Sequence, residues 1–206
     1  MTAATASGFA KLLINKTSLP EEKILQIMRI DDVDTLDTLL LEANNHLNQF
    51  NGKIYKVNSE VSNSTIYTLG YHGKYIPVDQ KKDATNFFKS LINKLIAKIR
   101  TYHEEHANDT ENHTNLECNI NEHDSMRDFK GTATFAEEFL NRFIEIGYLE
   151  LKAGYLYLGP TAKFGLTNLL QPYLRSCSNT GERLIYYKYC CAQYYHPFQP
   201  CSTCGN

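Results

Sequence analysis

The first eighty residues change from a helical to an extended hydrophobic period. Apolar residues recur every three or four positions in three stretches before Asn51-Gly52, which predicts three helices. Beyond that glycine, residues 53–61 and 65–71 are rich in Ile, Val, Tyr and Thr, which predicts a β-hairpin. Three helices followed by a hairpin is the element order of a winged helix. We assign residues 1–80 to a first domain of this type.

Residues that can cap a first turn mark the expected helix starts. The run Ser-Leu-Pro-Glu beginning at Ser18 is a capping-box sequence with proline in the first turn, and it predicts the start of the second helix. Asp32 or Asp34 is expected to open the third helix. In the second half of the chain, Asp83 and Thr134 are expected to open two further helices.

The second half of the chain repeats the order of helices and hairpin. A long helix with a broad apolar face is followed by residues 101–125, whose histidines and asparagines predict a flexible insert. Another helix then leads into two short apolar runs that flank Ala153-Gly154, a two-residue hairpin connection. A last helix is expected to bend at Pro172. Residues 81–178 form the second predicted winged helix, so the fold class is mainly α with small β-wings, an α+β class.

Composition and charge exclude several classes of protein. The 206 residues are 42% hydrophobic and 21% charged, which is ordinary for a soluble globular protein. The sequence contains no run of 18 apolar residues, the length needed to span a bilayer, and no leader for secretion is recognisable. The net charge of −2 argues against a protein whose whole surface follows nucleic acid. The sequence therefore predicts a cytosolic or nuclear protein without a membrane partner.

The predicted third helix of each unit is acidic, which disfavours the usual DNA contact of a winged helix. The first carries five acids and no lysine or arginine: Asp31, Asp32, Asp34, Asp37 and Glu42. The second carries three acids and one arginine: Glu137, Glu138, Glu145 and Arg142. Both units are therefore interpreted as protein-binding modules. Basic residues do recur on the long helix, at Lys89, Lys94, Lys98 and Arg100. They form either the solvated face of an amphipathic helix or an auxiliary contact to DNA or an acidic partner.

Four of the six cysteines fall within the last 17 residues, at Cys190, Cys191, Cys201 and Cys204. Cys201 and Cys204 have the C-x2-C spacing that lets two thiolates bind one tetrahedral zinc ion. Cys191 is the nearest further ligand, with Cys190 or His196 as substitutes. The alternative is an unstructured tail with free thiols. No catalytic signature surrounds the remaining two cysteines, Cys118 and Cys177, which are interpreted as small buried residues.

Several segments together resemble a known family. They are the run from Tyr155 to Pro160, the run from Leu169 to Leu174, the segment from Ile66 through Phe88, and the tail from Cys201. With the two acidic winged helices, their order is similar to the first non-SMC element of the SMC five/six chromosome-maintenance complex, over nearly the whole chain. The resemblance implies a nuclear, chromatin-bound subunit that binds a MAGE-type subunit and a kleisin, and that reaches DNA indirectly through the complex. It also implies a role in DNA repair by homologous recombination.

The same resemblance implies that residues 179–206 are part of a variant RING, a zinc domain that supports ubiquitin ligation by holding a ubiquitin-conjugating enzyme. Here the sequence departs from the family. Lys188 stands where the resemblance expects the first ligand before Cys191, and the sequence ends at Asn206 before later ligands. Because structural zinc binding contributes folding free energy, an incomplete site is expected to hold zinc weakly. Ligase activity is therefore expected to be impaired, and no catalytic residue is assigned.

Three hypotheses follow. The chain is an interaction subunit whose winged helices dock the MAGE-type subunit and the kleisin. Alternatively, it is a tandem winged-helix DNA-binding protein of the transcription-factor type. The third hypothesis is a self-contained module with one zinc ion, held by Cys190 or Cys191 with His196, Cys201 and Cys204.

Overall fold

The computed structural model describes residues 4–62, 64–71, 82–105, 118–127, 129, 132–176 and 183–184. The first unit contains helices α1 (Ala6–Lys16), α2 (Glu21–Met28) and α3 (Val33–Leu47), a 3-10 turn (Asn48–Phe50), and strands β1 (Ser18–Pro20), β2 (Gly52–Asn58) and β3 (Thr65–Tyr71). Its antiparallel sheet has the order β1-β3-β2. The predicted hairpin is confirmed as β2 and β3, and a short strand between the first two helices completes the sheet.

The second unit repeats this order of elements. It contains helices α4 (Lys82–Glu105), α5 (Glu122–Arg127) and α6 (Ala133–Glu145), and strands β4 (Ile120–Asn121), β5 (Leu149–Lys152) and β6 (Tyr155–Leu158). Its sheet order is β4-β6-β5, so the last strand is again central. Beyond it lie α7 (Ala162–Gly165), α8 (Thr167–Leu170) and the paired strands β7 (Arg175–Ser176) and β8 (Arg183–Leu184). The α+β class with small antiparallel sheets is confirmed, and it is of the winged-helix type.

Each unit has its own hydrophobic core. The first core joins the helices to one face of the β1-β3-β2 sheet and includes Phe9, Ile24, Leu36, Ile54, Tyr67 and Leu69. In the second, the broad apolar face of α4 packs against α6 and the second sheet, through residues that include Phe88, Leu95, Ile99, Leu140, Phe143 and Leu156. Within the described ranges, no helix is both long and apolar enough to cross a membrane.

Caps and turns explain where several elements begin and end. The Asp32 carboxylate accepts a hydrogen bond from Thr35 N at 2.7 Å, so α3 opens at Asp32, one of the two predicted positions. The connection between β5 and β6 has positive φ at both Ala153 (52°) and Gly154 (78°). Both central residues of a type I′ hairpin turn require this conformation. The predicted two-residue connection is confirmed.

Three predicted helix starts are wrong by small shifts. Ser18 does not cap α2, because it pairs with Thr68 as part of β1, and Pro20 takes the N-cap position without a side-chain hydrogen bond. The N-cap of α6 is Thr132 and not Thr134, since Thr132 Oγ1 accepts from Phe135 N at 3.4 Å. Helix α4 begins at Lys82, one residue before Asp83.

The structure also differs from the predicted insert at 101–125 and from the predicted last helix. Helix α4 continues to Glu105 because Tyr102 prolongs its buried face, and β4 and α5 occupy residues 120–127. Residues 106–117 lie outside the described part of the chain. In place of one bent helix, α7 and α8 are two short helices that end before Pro172. Proline lacks an amide hydrogen and disfavours the helical conformation of the preceding residue, which agrees with this end.

Candidate docking surfaces and the joint between the units

The outer face of the first sheet is buried against the second unit. In the sheet register, Ser18, Tyr55 and Thr68 lie side by side, on the face opposite the core residues Ile54 and Leu69. Thr68 is completely buried and Ser18 nearly so, although neither belongs to the first core. An isolated winged helix would expose such a face to water. We call this contact region between the two units the joint.

Hydroxyl groups and a close backbone approach form one side of the joint. Thr161 Oγ1 donates to Ile146 O at 2.8 Å, and Thr68 Oγ1 lies 2.6 Å from Thr161 Oγ1. Because a hydroxyl has one hydrogen, Thr68 is the donor in the second bond. Beside them lies Gly147, at φ +75°, where an added Cβ would stand 2.6 Å from Thr161 Oγ1 and 2.7 Å from Ser18 Oγ. The two units therefore meet with no space for one more carbon atom.

An aromatic stack extends this side of the joint. Tyr55 on β2 stacks on Phe164 of α7, with ring centroids 3.8 Å apart and an interplanar angle of 18°. Gly70 lies under the stack, because a Cβ there would stand 2.8 Å from the Tyr55 ring and 3.5 Å from Phe164 Cβ. The ring pair thus covers the backbone of β3.

A buried ion pair forms the other side of the joint. Lys163 Nζ on α7 lies 2.7 Å from Glu60 Oε1 in the turn between β2 and β3, and the two side chains are 3% and 1% exposed. Glu150 on β5 lies near both charges. Burial raises the pKa of the Glu150 carboxyl, and the nearby Glu60 charge adds to this. Hydrogen bonds from Ser59 and Ser62 and the charge of Lys163 oppose the shift, and the net direction is upward.

The turn between β2 and β3 is held by side chains of β5. Ser59 Oγ lies 2.7 Å and 2.8 Å from the two carboxylate oxygens of Glu150 and donates to that group. The same oxygen accepts from Val61 N and Ser62 N, at 3.1 Å and 2.9 Å. Lys152 Nζ also donates to Val61 O at 2.6 Å. The described residues 59–62 of the turn between β2 and β3 are therefore held by the hairpin of the second unit.

The third helix of the first unit presents an acidic face with one apolar side chain. Its exposed residues are Asp34, Thr35, Thr38, Leu41, Glu42, Asn45 and His46. Leu41 is 70% exposed, although the buried face of the same helix is fully apolar. Asn44 fixes the helix on β2 by exchanging two hydrogen bonds with Ile54, at 2.9 Å and 2.7 Å. Helix α3 is thus fixed to the sheet with this face turned to solvent.

Beneath this face, a charged network joins four elements of the first unit. Lys56 Nζ lies 2.8 Å from Asp37 Oδ1 and 3.5 Å from Glu21 Oε2. The Tyr67 hydroxyl lies 3.1 Å from the Asp37 carboxylate and 3.2 Å from that of Glu21, and its one hydrogen is shared between them. Burial, together with both carboxylates, raises the pKa of Tyr67 above its usual range. The tyrosine is therefore a hydrogen-bond donor, and Lys56 balances part of the acidic charge of α3.

Helix α6 presents a similar surface in the second unit. Its exposed residues are Ala133, Thr134, Phe135, Glu137, Glu138, Asn141, Arg142 and Glu145. Phe135 is 48% exposed and stacks on Phe139, with ring centroids 6.4 Å apart. Phe139 in turn contacts the ring of Phe129 edge-on, with centroids 5.7 Å apart. Phe135 is thus the exposed end of an aromatic row that begins in the core.

The four basic residues predicted on α4, Lys89, Lys94, Lys98 and Arg100, are exposed, but they do not share one face. An α-helix turns by about 100° per residue, so Lys94 lies about 140° around the helix from Lys89. Lys98 follows Lys94 one turn later, and Arg100 returns to the side of Lys89. Arg100 Nε also lies 3.8 Å from Glu104 Oε1. The helix therefore places two of these cations on one side and two on another, and it does not gather all four into one patch.

The predicted zinc ligands Cys190, Cys191, His196, Cys201 and Cys204 lie outside the described residues, as does Lys188. Among the residues that the structure describes, there is no group of three or more His, Cys, Asp or Glu side chains able to hold a metal ion. Cys118 is buried, and its Sγ lies 3.7 Å from Lys98 O. Cys177 also falls outside the described ranges.

No family model matches the sequence, and a search of curated proteins finds no match. Six chains of solved structures do match the fold. One of them belongs to a structure described as the "Nse1-Nse3-Nse4 complex". The match covers 100% of this chain and 96% of that chain, with a TM-score of 0.57 and 16% sequence identity. At this level of identity, what the two chains share is the fold.

Proposed function

We propose that this protein is a docking subunit of an SMC five/six-type complex, with the exposed faces of α3 and α6 as its protein-binding surfaces. The observation that carries the proposal is the acidic surface of both third helices, each with an exposed apolar side chain, Leu41 or Phe135. The fold shared along the whole chain with a member of the Nse1-Nse3-Nse4 complex supports the choice of assembly.

Electrostatics favours protein partners over duplex DNA. A winged helix that reads DNA presents its third helix to the major groove, between two rows of phosphates. The exposed acids of α3, Asp34 and Glu42, would face those phosphates with no lysine or arginine on the helix to offset them. The outer face of the first sheet is also buried in the joint. The first unit therefore offers DNA an acidic third helix and a sheet whose outer face is covered, and both features disfavour duplex binding.

The partners are proposed to be a MAGE-type subunit and a kleisin. Acidic residues around an exposed leucine favour a complementary surface in which basic side chains surround an apolar pocket. Buried apolar side chains contribute most of the binding energy at such interfaces, and the charges around them fix partner choice and association rate. Leu41 and Phe135 are accordingly the residues whose change should weaken partner binding.

The remaining parts of the proposal concern the C-terminal residues and the location of the protein. We assign zinc binding to Cys191, Cys201 and Cys204, with Cys190 or His196 as substitutes, in a partial RING-like tail. Support of ubiquitin transfer, through a ubiquitin-conjugating enzyme, belongs to the same proposal, as does a nuclear, chromatin-bound location. The residues of the tail fit zinc by chemistry, because thiolates and imidazole are the usual ligands of structural zinc.

Co-purification tests the proposal directly. The tagged chain is co-expressed with the MAGE-type and kleisin subunits of the same source, and both are expected to be retained on the tag. Leu41→Asp places a charge in the proposed apolar contact and is expected to reduce retention by about tenfold or more, as expected for a buried interface residue. Leu169→Asp is the matched control, because Leu169 is also exposed, at 53%, but lies on α8.

Two outcomes would contradict the proposal. One is retention of neither subunit by the wild-type chain. The other is equal loss for Leu41→Asp and Leu169→Asp, which would remove the role of α3. Tight binding of duplex DNA that falls steeply with salt, and that is lost when Lys94 and Lys98 are changed to Glu, would favour the DNA-binding alternative.

A further inference from the structure

We propose that Lys163 is a positioning residue that holds the two winged-helix units in one mutual orientation. The inference concerns the joint and not the docking faces, so it stands whether or not the proposed partners are correct. Lys163 lies on α7 of the second unit, and its ammonium enters the turn between β2 and β3 of the first. It is the cation that balances the charge of two buried or nearly buried carboxylates, Glu60 and Glu150.

The charge balance explains why the orientation depends on this residue. A buried carboxylate is stable only when it is paired and hydrogen-bonded, because its removal from water is costly. Glu60 comes from the first unit and Glu150 from the second, so without Lys163 two like charges would face each other across the joint. Separation of the units would then return both carboxylates to water. With Lys163 in place, separation would expose the ion pair and forfeit its short contact of 2.7 Å.

The hydrogen bonds around the ion pair restrict how one unit can rotate relative to the other. Ser59 Oγ is fixed in the wing turn by two amides and donates to Glu150, and Lys152 donates to Val61 O. These bonds constrain the rotation of one wing against the other, since each loses its geometry within a small angle. The bond between Thr68 and Thr161 does the same on the other side of the joint. A partner that contacts both α3 and α6 would therefore meet them at a fixed separation.

Hydrogen–deuterium exchange of the full chain at neutral pH tests the inference. Lys163→Met keeps the length of the side chain and removes its charge. We expect amides of residues 59–62 and 159–166 to exchange about tenfold faster or more, because removal of one partner from a buried pair is strongly destabilising. Amides of α1 should stay within about twofold of wild type, since the core of the first unit is untouched. Lys98→Met is the control, because Lys98 is an exposed lysine of α4 outside the joint.

A triple variant separates charge balance from packing. Lys163→Met combined with Glu60→Gln and Glu150→Gln removes all three charges, and exchange at the joint should return to within about threefold of wild type. Unchanged exchange at the joint in Lys163→Met would overturn the inference, as would equal acceleration throughout the chain. If Lys163→Met does not fold, Glu60→Gln replaces it, because it removes the charged partner of Lys163 from the other unit. Faster exchange of residues 159–166 would then support the inference, and unchanged exchange there would refute it.

Discussion

Gly147 provides a sharp test of how closely the two units meet. The residue lies at the end of α6 with φ +75°, in the left-handed region that costs a residue with a side chain about 1–2 kcal/mol. Alanine there would also place Cβ within 3.0 Å of atoms of Ser18 and Thr161, one from each unit. Overpacking of this kind costs about 1–3 kcal/mol. Gly147→Ala should therefore lower the free energy of unfolding by about 2–5 kcal/mol.

Gly154 is the matched control for this substitution. It has nearly the same backbone conformation, φ +78°, but an added Cβ would meet no atom within 4 Å. Gly154→Ala should therefore cost only the conformational part, about 1–2 kcal/mol. Denaturant unfolding followed by circular dichroism measures both variants against wild type. Equal losses for the two alanines would refute the close contact between Ser18, Gly147 and Thr161.

Two further predictions concern titrating groups. The pKa of Glu150 is raised in the folded protein, so the proton stabilises the fold at low pH and this contribution is lost as pH rises through the folded pKa. Glu150→Gln should thus gain stability relative to wild type with rising pH in denaturant unfolding from pH 4 to 8, and a constant difference would contradict this. Hydrogen bonds from Thr35 hold the pKa of Asp32 below its usual range, so its capping of α3 is lost as pH falls through that lowered pKa. Asp32→Ala should lower the melting temperature at neutral pH but not in strong acid, with Asp32→Asn, which keeps an acceptor, as the control.

Local signals in the sequence predict most helices and both hairpins. A long apolar stripe and an acidic cap predict the third helix. The Ala153-Gly154 pair predicts the second hairpin connection, because a tight turn needs residues that can take positive φ. Strand β1 could not be predicted in this way, because three residues carry no period. Its pairing partners, Thr68 for Ser18 and Ile66 for Pro20, lie far along the chain. The nonlocal strand pairing overrode the capping-box sequence at Ser18.

The joint also escaped prediction because its partners are distant in sequence. Ser59 and Glu150 are separated by 91 positions, and Thr68 and Thr161 by 93. Lysine side chains usually lie at the surface, so nothing in the sequence around Lys163 predicts that it is buried. One signal does exist: the residues of β3 that alternate with its core positions are Ile66, Thr68 and Gly70, which are small or apolar and carry no charge. A strand that faced water on that side would carry charged or larger polar residues there.

Hydroxyl-radical footprinting of the chain, free and bound to the MAGE-type and kleisin subunits, tests the proposed docking faces most directly. Leu41 and Phe135 are exposed in the free chain and should both react. If α3 and α6 bind the partners, both side chains lose labelling in the complex, while Leu169 and Ile14 keep their free rates. Labelling of Leu41 and Phe135 at the free rate in a fully formed complex would contradict docking through the third helices.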